Sequence, residues 1–152
     1  MARKLGLRFT ENMYGHYEVF EGPAAGQRRR FDFHWNGRYP DVIGSLHDRR
    51  GEGTGWVEAE GLAGRAPIEG FMVFKPFVER FIRYEFQFTA DDGRRYWFKG
   101  QKGIRHLHPA RTWTTLPGEI FDDAGRAWAR TLLRFRFREA LPFLLSFRTS
   151  IS

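Results

Sequence analysis

The sequence predicts an all-β chain forming one domain, and three observations carry that prediction. Apolar and polar residues alternate along several short segments, the period of half-buried strands. The 16 phenylalanines and 5 tryptophans favour pleated surfaces and fill the wide space between sheet faces better than they fill helix grooves. The sharpest turn signal, Asp91-Asp92-Gly93, divides two alternating runs, and Asp-Gly tolerates the positive φ that tight hairpin turns demand.

The elements follow in order. Leu5, Leu7 and Phe9 alternate with polar residues, and Tyr17 and Val19 resume the odd-numbered pattern after a break at Gly15, giving one long or bent first strand. The Gly-Pro-Ala-Ala-Gly stretch within residues 21–27 ends it. Phe31, Phe33 and Trp35 then face away from Arg30, Asp32 and His34 as a second strand. Between Gly37 and Gly53 the pattern lapses around Pro40, Val42, Ile43 and Leu46, where a brief helical turn or loop is expected. Residues 56–62 read as a short strand ending at Gly64, and residues 68–74 as another, apolar enough to be buried on both faces or to turn a barrel corner.

Residues 80–103 form the clearest hairpin. Ile82, Tyr84, Phe86 and Phe88 are expected to point inward and Arg83, Glu85 and Gln87 outward. The returning strand sets Tyr96 and Phe98 against Arg95, Trp97 and Lys99, with Gly100 and Gly103 as bulge or bend positions. A further hairpin spans residues 112–121 and 127–137 around Asp122-Asp123-Ala124-Gly125. A turn of helix is expected over residues 139–142, and Phe143, Leu145 and Phe147 belong to a last strand. Eight to ten short strands without a convincing helix predict an antiparallel barrel, calycin- or lipocalin-like, with residues 1–152 as its single domain.

Composition narrows the function. A chain of 152 residues, 41% hydrophobic, buries about 70% of its unfolded surface when compact, so a substantial core is available. With no cysteine, thiolate metal sites, thiol nucleophiles and disulfides are excluded. The N-terminus lacks a signal-like apolar stretch and no run reaches the length of a bilayer span, so a cytoplasmic protein without a membrane span is expected. The net charge of +7 raises the prospect of an acidic partner. Arg28-Arg29-Arg30 is the only run of three, however, and most basic residues alternate with apolar ones as solvated strand faces.

Each candidate site has a plainer reading beside it. His106 and His108, spaced by two, would share one side of a strand and could reach a metal with His34, His47 or Asp41, but Pro109 favours a surface loop. Glu58, Glu60 and Glu85 are the candidate acid–base carboxylates, yet carboxylates spaced by two also mark any solvent-facing strand. Ser45, Ser146 and Ser150 lie in no nucleophile elbow, and no Gly-rich loop opens a helix. Trp97 between Arg95 and Lys99 fits single-stranded nucleic-acid binding and equally an outer strand face with the indole under basic stems. Phe31, Phe33, Tyr84, Phe86, Tyr96, Phe135 and Phe147 are candidate ligand-lining rings, because a barrel of about eight strands can enclose one small molecule; for any one of them plain core is the stronger reading. No catalytic residue, metal or cofactor is assigned.

Phe9-Thr10-Glu11-Asn12-Met13-Tyr14-Gly15, residues 55–74 with Pro67 before an apolar strand, residues 84–88, Tyr96-Trp97-Phe98-Lys99-Gly100-Gln101-Lys102 and residues 112–116 together cover most of the chain. In that order they resemble a β-rich accessory domain that accompanies cholesterol-oxidase-like glucose-methanol-choline oxidoreductases. Where that family carries an acidic residue before Thr-Thr-Leu, this chain has Trp113 before Thr114-Thr115-Leu116. The flavin-binding fingerprint is absent, so the resemblance implies a stand-alone accessory module, with an oxidoreductase as partner and sterol or lipid chemistry nearby. The expected function is a non-catalytic binding or accessory barrel for an apolar small molecule. The alternatives are an enzyme acting inside the barrel and a module that binds nucleic acid or an anionic surface.

Overall fold

The computed structural model describes residues 5–39, 50–75, 81–103, 115–134 and 148–151. Nine strands run in chain order: β1 Leu5–Val19, β2 Arg29–Tyr39, β3 Arg50–Ala59, β4 Ala63–Lys75, β5 Phe81–Thr89, β6 Arg95–Gly103, β7 Thr115–Phe121, β8 Ala127–Arg134 and β9 Arg148–Ile151. Strands β1 to β8 pair antiparallel in sequence order, and β8 returns to β1, which also pairs with β2. The result is a closed eight-strand antiparallel barrel, as the alternation predicts. No helix among the described residues is long and apolar enough to cross a membrane.

Closure depends on β1. Its residues 14–19 pair with β8 and residues 5–8 with β9, on the same edge. Among the described residues, the stretch 9–13 between them pairs with β2 alone. The expected break at Gly15 is not present: β1 is continuous, and glycine is needed because a Cβ there would stand 2.0 Å from the carbonyl oxygen of Leu132. The two backbones come too close for a side chain.

The connections β1–β2, β3–β4, β5–β6 and β7–β8 lie at one end of the barrel, here called the turn end. At Asp91-Asp92-Gly93 the Ala90 N–H donates to the Arg94 carbonyl at 2.8 Å and the Gly93 N–H to the Ala90 carbonyl at 2.9 Å. Gly93 has φ 87°, the left-handed region glycine enters without steric cost. The β7–β8 turn repeats this design at Asp122 and Gly125, whose φ is 79°. The β5–β6 tip also holds its neighbour, since the Asp91 N–H donates to Leu62 O at 3.0 Å and Asp91 Oδ1 accepts from the Gly64 N–H at 3.1 Å.

Several boundaries depart from the sequence reading. β3 begins at Arg50, before Trp56, and β4 at Ala63, before Ile68. The inward positions there are glycine or alanine and give no apolar alternation to read. Irregular pairing near residues 57–59 and Arg65 at φ 50° carry the β3–β4 turn. Gly100 is no bulge: it pairs regularly with Tyr84 and Gly118, and a Cβ there would meet the Phe98 ring at 2.7 Å. Gly103 pairs regularly with Phe81 where β6 ends. The expected helical turns near residues 40–49 and 139–142 and the strand around Phe143, Leu145 and Phe147 lie outside the described residues.

Candidate functional site

Along β5 the inward and outward sets fall as predicted: Ile82, Tyr84, Phe86 and Phe88 are buried, while Arg83, Glu85 and Gln87 lie on the outer face. Opposite them β2 sends Phe31, Phe33 and Trp35 inward. Because β2 and β5 are not neighbours in the barrel, these rings meet across the lumen. Phe33 lies 5.1 Å from Phe86 between ring centroids, Phe31 5.6 Å from Phe98, and Phe86 4.7 Å from Phe98. Of the seven predicted ligand-lining rings, Phe31, Phe33, Tyr84 and Phe86 therefore form one packed group. Tyr96 stacks on Phe88 at 5.8 Å and contacts Trp128 at 4.8 Å, nearer the turn end. Phe135 and Phe147 lie outside the described residues.

Away from the turn end the lumen changes character. Glu11, cross-strand from Trp35, points inward from β1 between Phe9 and Met13 and is fully buried. The Tyr84 hydroxyl donates to Glu11 Oε1. Lys102 enters from β6, opposite Ile82, is also buried, and sets its ammonium 5.7 Å from the Tyr84 ring centroid. Trp35 completes the group with its ring edge-on to Tyr84 at 5.6 Å. Glycines make room for this arrangement: a Cβ at Gly53 would lie 1.9 Å from the Trp35 ring, and one at Gly37 2.3 Å from the Phe9 ring.

Two atoms in this cluster are unsatisfied. Glu11 Oε2 and Trp35 Nε1 are buried and have no hydrogen-bond partner among the described residues. Burial pushes the Glu11 carboxyl up from its ordinary value, while the Lys102 charge and the Tyr84 hydrogen bond act the other way. Burial likewise pushes the Lys102 ammonium down, against the pull of Glu11. Neither charge is comfortable here, and each is tolerated in part because of the other.

The other predicted sites do not assemble. Glu58 is half-buried on β3 and Glu60 exposed in the turn, its Oε1 accepting from the Arg30 N–H at 3.2 Å. Glu85 faces outward and pairs with Arg83 at 3.1 Å. The carboxylates named from sequence are thus outside the barrel, and among the described residues the one that points inside is Glu11, set in an otherwise apolar alternation on β1. His34 is held outside too, with Nδ1 2.6 Å from Asn12 Oδ1 and its ring stacked on Trp56. Among the described residues no His, Asp and Glu cluster could hold a metal; Asp41, His47, His106, His108, Ser45 and Ser146 lie outside them, and of the Ser150 side chain nothing is described. Trp97 is 44% exposed on the outer face between Arg95 and Lys99, in a groove of about 480 Å³ that Phe121, Glu85, Asp122 and Asp123 also line. Acidic residues in that groove offset the basic ones, which weakens its fit to a polyanion.

Comparison with protein-family models, curated proteins and solved structures returns no match. Nothing in those comparisons links the chain to glucose-methanol-choline oxidoreductases.

Proposed function

We propose that this barrel is a binding protein for a small, mainly apolar molecule of lipid or sterol-like kind, whose one polar group sits beside Glu11 and Trp35. The observation that carries the reading is the pair of buried atoms without a hydrogen-bond partner among the described residues, Glu11 Oε2 and Trp35 Nε1, on cross-strand neighbours. Leaving such groups unpaired costs about 1–3 kcal/mol each, and a ligand group that pairs with both recovers that cost. The apolar rings around them suit the rest of such a molecule, in the usual pattern of a mostly apolar pocket with a few placed polar groups. Phe31, Phe33 and Phe86 serve in this reading as the packed floor beneath the ligand. A role as accessory module to an oxidoreductase rests on the sequence resemblance alone.

Native mass spectrometry of the freshly purified protein tests the proposal. Retention of a small molecule, released on denaturation and reduced in Trp35→Phe, is the expected result. A protein that carries nothing and takes up nothing from a lipid extract overturns it.

A second reading has its own observation. Glu11 and Lys102 are buried titratable groups shifted in opposite directions, a pattern that also marks proton-transfer sites. Turnover of a bound compound that stops in Glu11→Gln while binding persists would establish it; binding without turnover leaves the first reading.

A further inference from the structure

We infer that the polar group taken by the Glu11 and Trp35 site is a neutral hydroxyl, so that the ligand is an alcohol and not a carboxylic acid or a ketone. This inference deepens the binding reading above and rests on it.

Donor and acceptor matching at the two atoms selects the hydroxyl. Trp35 Nε1 can only donate. Glu11 Oε1 is engaged by the Tyr84 hydroxyl, leaving Oε2 to meet the ligand. When Glu11 is ionised, Oε2 accepts, and the ligand group must donate to Glu11 while accepting from the indole. When Glu11 is protonated and Oε2 carries the hydrogen, Glu11 donates as well, and the ligand group must accept twice. A hydroxyl, with one hydrogen and two lone pairs, has the donor and acceptors for both states. A ketone satisfies only the second. A carboxylate is opposed by ionised Glu11 and must drive proton uptake before it can bind.

Lys102 strengthens the distinction. Its charge is directed to Glu11, which it holds toward ionisation, and the hydroxyl-binding state is the one in which that charge balance is undisturbed. An anionic ligand would compete with Glu11 for the one inward ammonium among the described residues. Ligand oxygen and Glu11 carboxylate would then share a single counter-charge in a dry interior, where like charges repel strongly.

The test uses four compounds with one apolar body: dodecanol, dodecanoic acid, dodecanone and dodecane, titrated by calorimetry into the full chain and into Glu11→Gln and Trp35→Phe. The expected result is that dodecanol binds at least about tenfold tighter than the other three. Trp35→Phe should shrink its advantage over dodecane, and Glu11→Gln, which removes the opposing charge, should narrow the gap between dodecanol and dodecanoic acid. Dodecanoic acid or dodecanone binding more tightly than dodecanol overturns the hydroxyl assignment and leaves the binding reading standing. Equal binding of all four, insensitive to both variants, also overturns the assignment, because the site would then be reading only the apolar body. If none of the four binds, the binding reading fails with it.

Discussion

The two ends of the lumen fill the same kind of space in opposite ways. Toward the turn end, Phe31, Phe33, Phe86, Phe88 and Phe98 meet ring to ring, with Tyr17 against Phe31 and Tyr96 against Phe88, and among the described residues no carboxylate or ammonium enters with them. Away from it, Glu11, Lys102, Trp35 and Tyr84 place four polar side-chain termini in an equally buried setting, over a wall relieved by Gly37 and Gly53. The first arrangement is packed aromatic core. The second retains groups that a barrel designed only to fold would replace with leucine or phenylalanine, since well-packed apolar residues are often as stable as a buried ion pair or more so. On the binding proposal, that difference places the ligand's polar group at one end of a single continuous core.

The largest effect is expected at the ring-packed end. Phe98 touches Phe31 and Phe33 across the lumen and its cross-strand partner Phe86 beside it, and its ring lies over Gly100. Phe98→Ala should cost about 3–5 kcal/mol in denaturant unfolding, with ligand binding unchanged per folded molecule. A loss under about 1 kcal/mol would mean that these rings do not jointly support the barrel.

At the other end the severe change is an added methyl. Gly53→Ala puts a Cβ where the Trp35 ring lies, 1.9 Å away, and either the indole turns or the β2–β3 pairing shifts. A cost of about 1–3 kcal/mol is expected, accompanied by lost ligand uptake, because Trp35 Nε1 moves with the ring. Loss of stability without loss of uptake would separate Trp35 from the site.

These glycines also explain what sequence could and could not reveal. The β5–β6 hairpin was legible because large apolar residues fall on one face and Asp-Asp-Gly marks its turn. The first part of β3 was not, because its inward Gly51 and Gly53 are silent in a hydrophobic pattern; the place of a side chain at Gly53 is filled by the Trp35 ring of β2. The site was harder still. Glu11 and Lys102 sit at positions where alternation demands apolar residues, and a violated alternation is the only signal either one gives. On β1 that signal was masked by the polar neighbours Thr10 and Asn12, and on β6 Lys102 follows Gly100 and Gln101, where the pattern had already faded. The outward carboxylates Glu58, Glu60 and Glu85 drew notice because they are regularly spaced, the very property that marks a solvated face.

A titration sharpens the contrast further. Because burial holds the Glu11 carboxyl above its ordinary 4.5, the folded protein retains a proton there that the unfolded chain releases. Its contribution to stability is fully present below that value and is lost as pH rises through the higher folded one. Lys102 has the opposite sign: its depressed ammonium contributes stability at high pH that is lost as pH falls. In Glu11→Gln the first term vanishes, so the stability of the variant relative to the natural chain should climb as pH increases from about 4.5. A flat or falling difference would show that attraction to Lys102 and the Tyr84 hydrogen bond outweigh burial at Glu11, making the cluster a stabilising element in its own right.

The smallest effect belongs to the outer wall. Trp97 stands among Gln87, Arg95, Lys99 and Phe121, faces water and contributes nothing to the lumen. Trp97→Ala should change stability by no more than about 0.5 kcal/mol and leave the uptake of apolar compounds as it was. If it instead abolished salt-sensitive retention on a polyanion column, the nucleic-acid alternative would gain a residue and the outer face a role. The groove's own charges argue against that outcome, since Glu85, Asp122 and Asp123 would face the same phosphates that Arg95 and Lys99 attract. Charges of both signs around an exposed aromatic keep an outer strand face hydrated, and single exposed apolar side chains are common on protein surfaces.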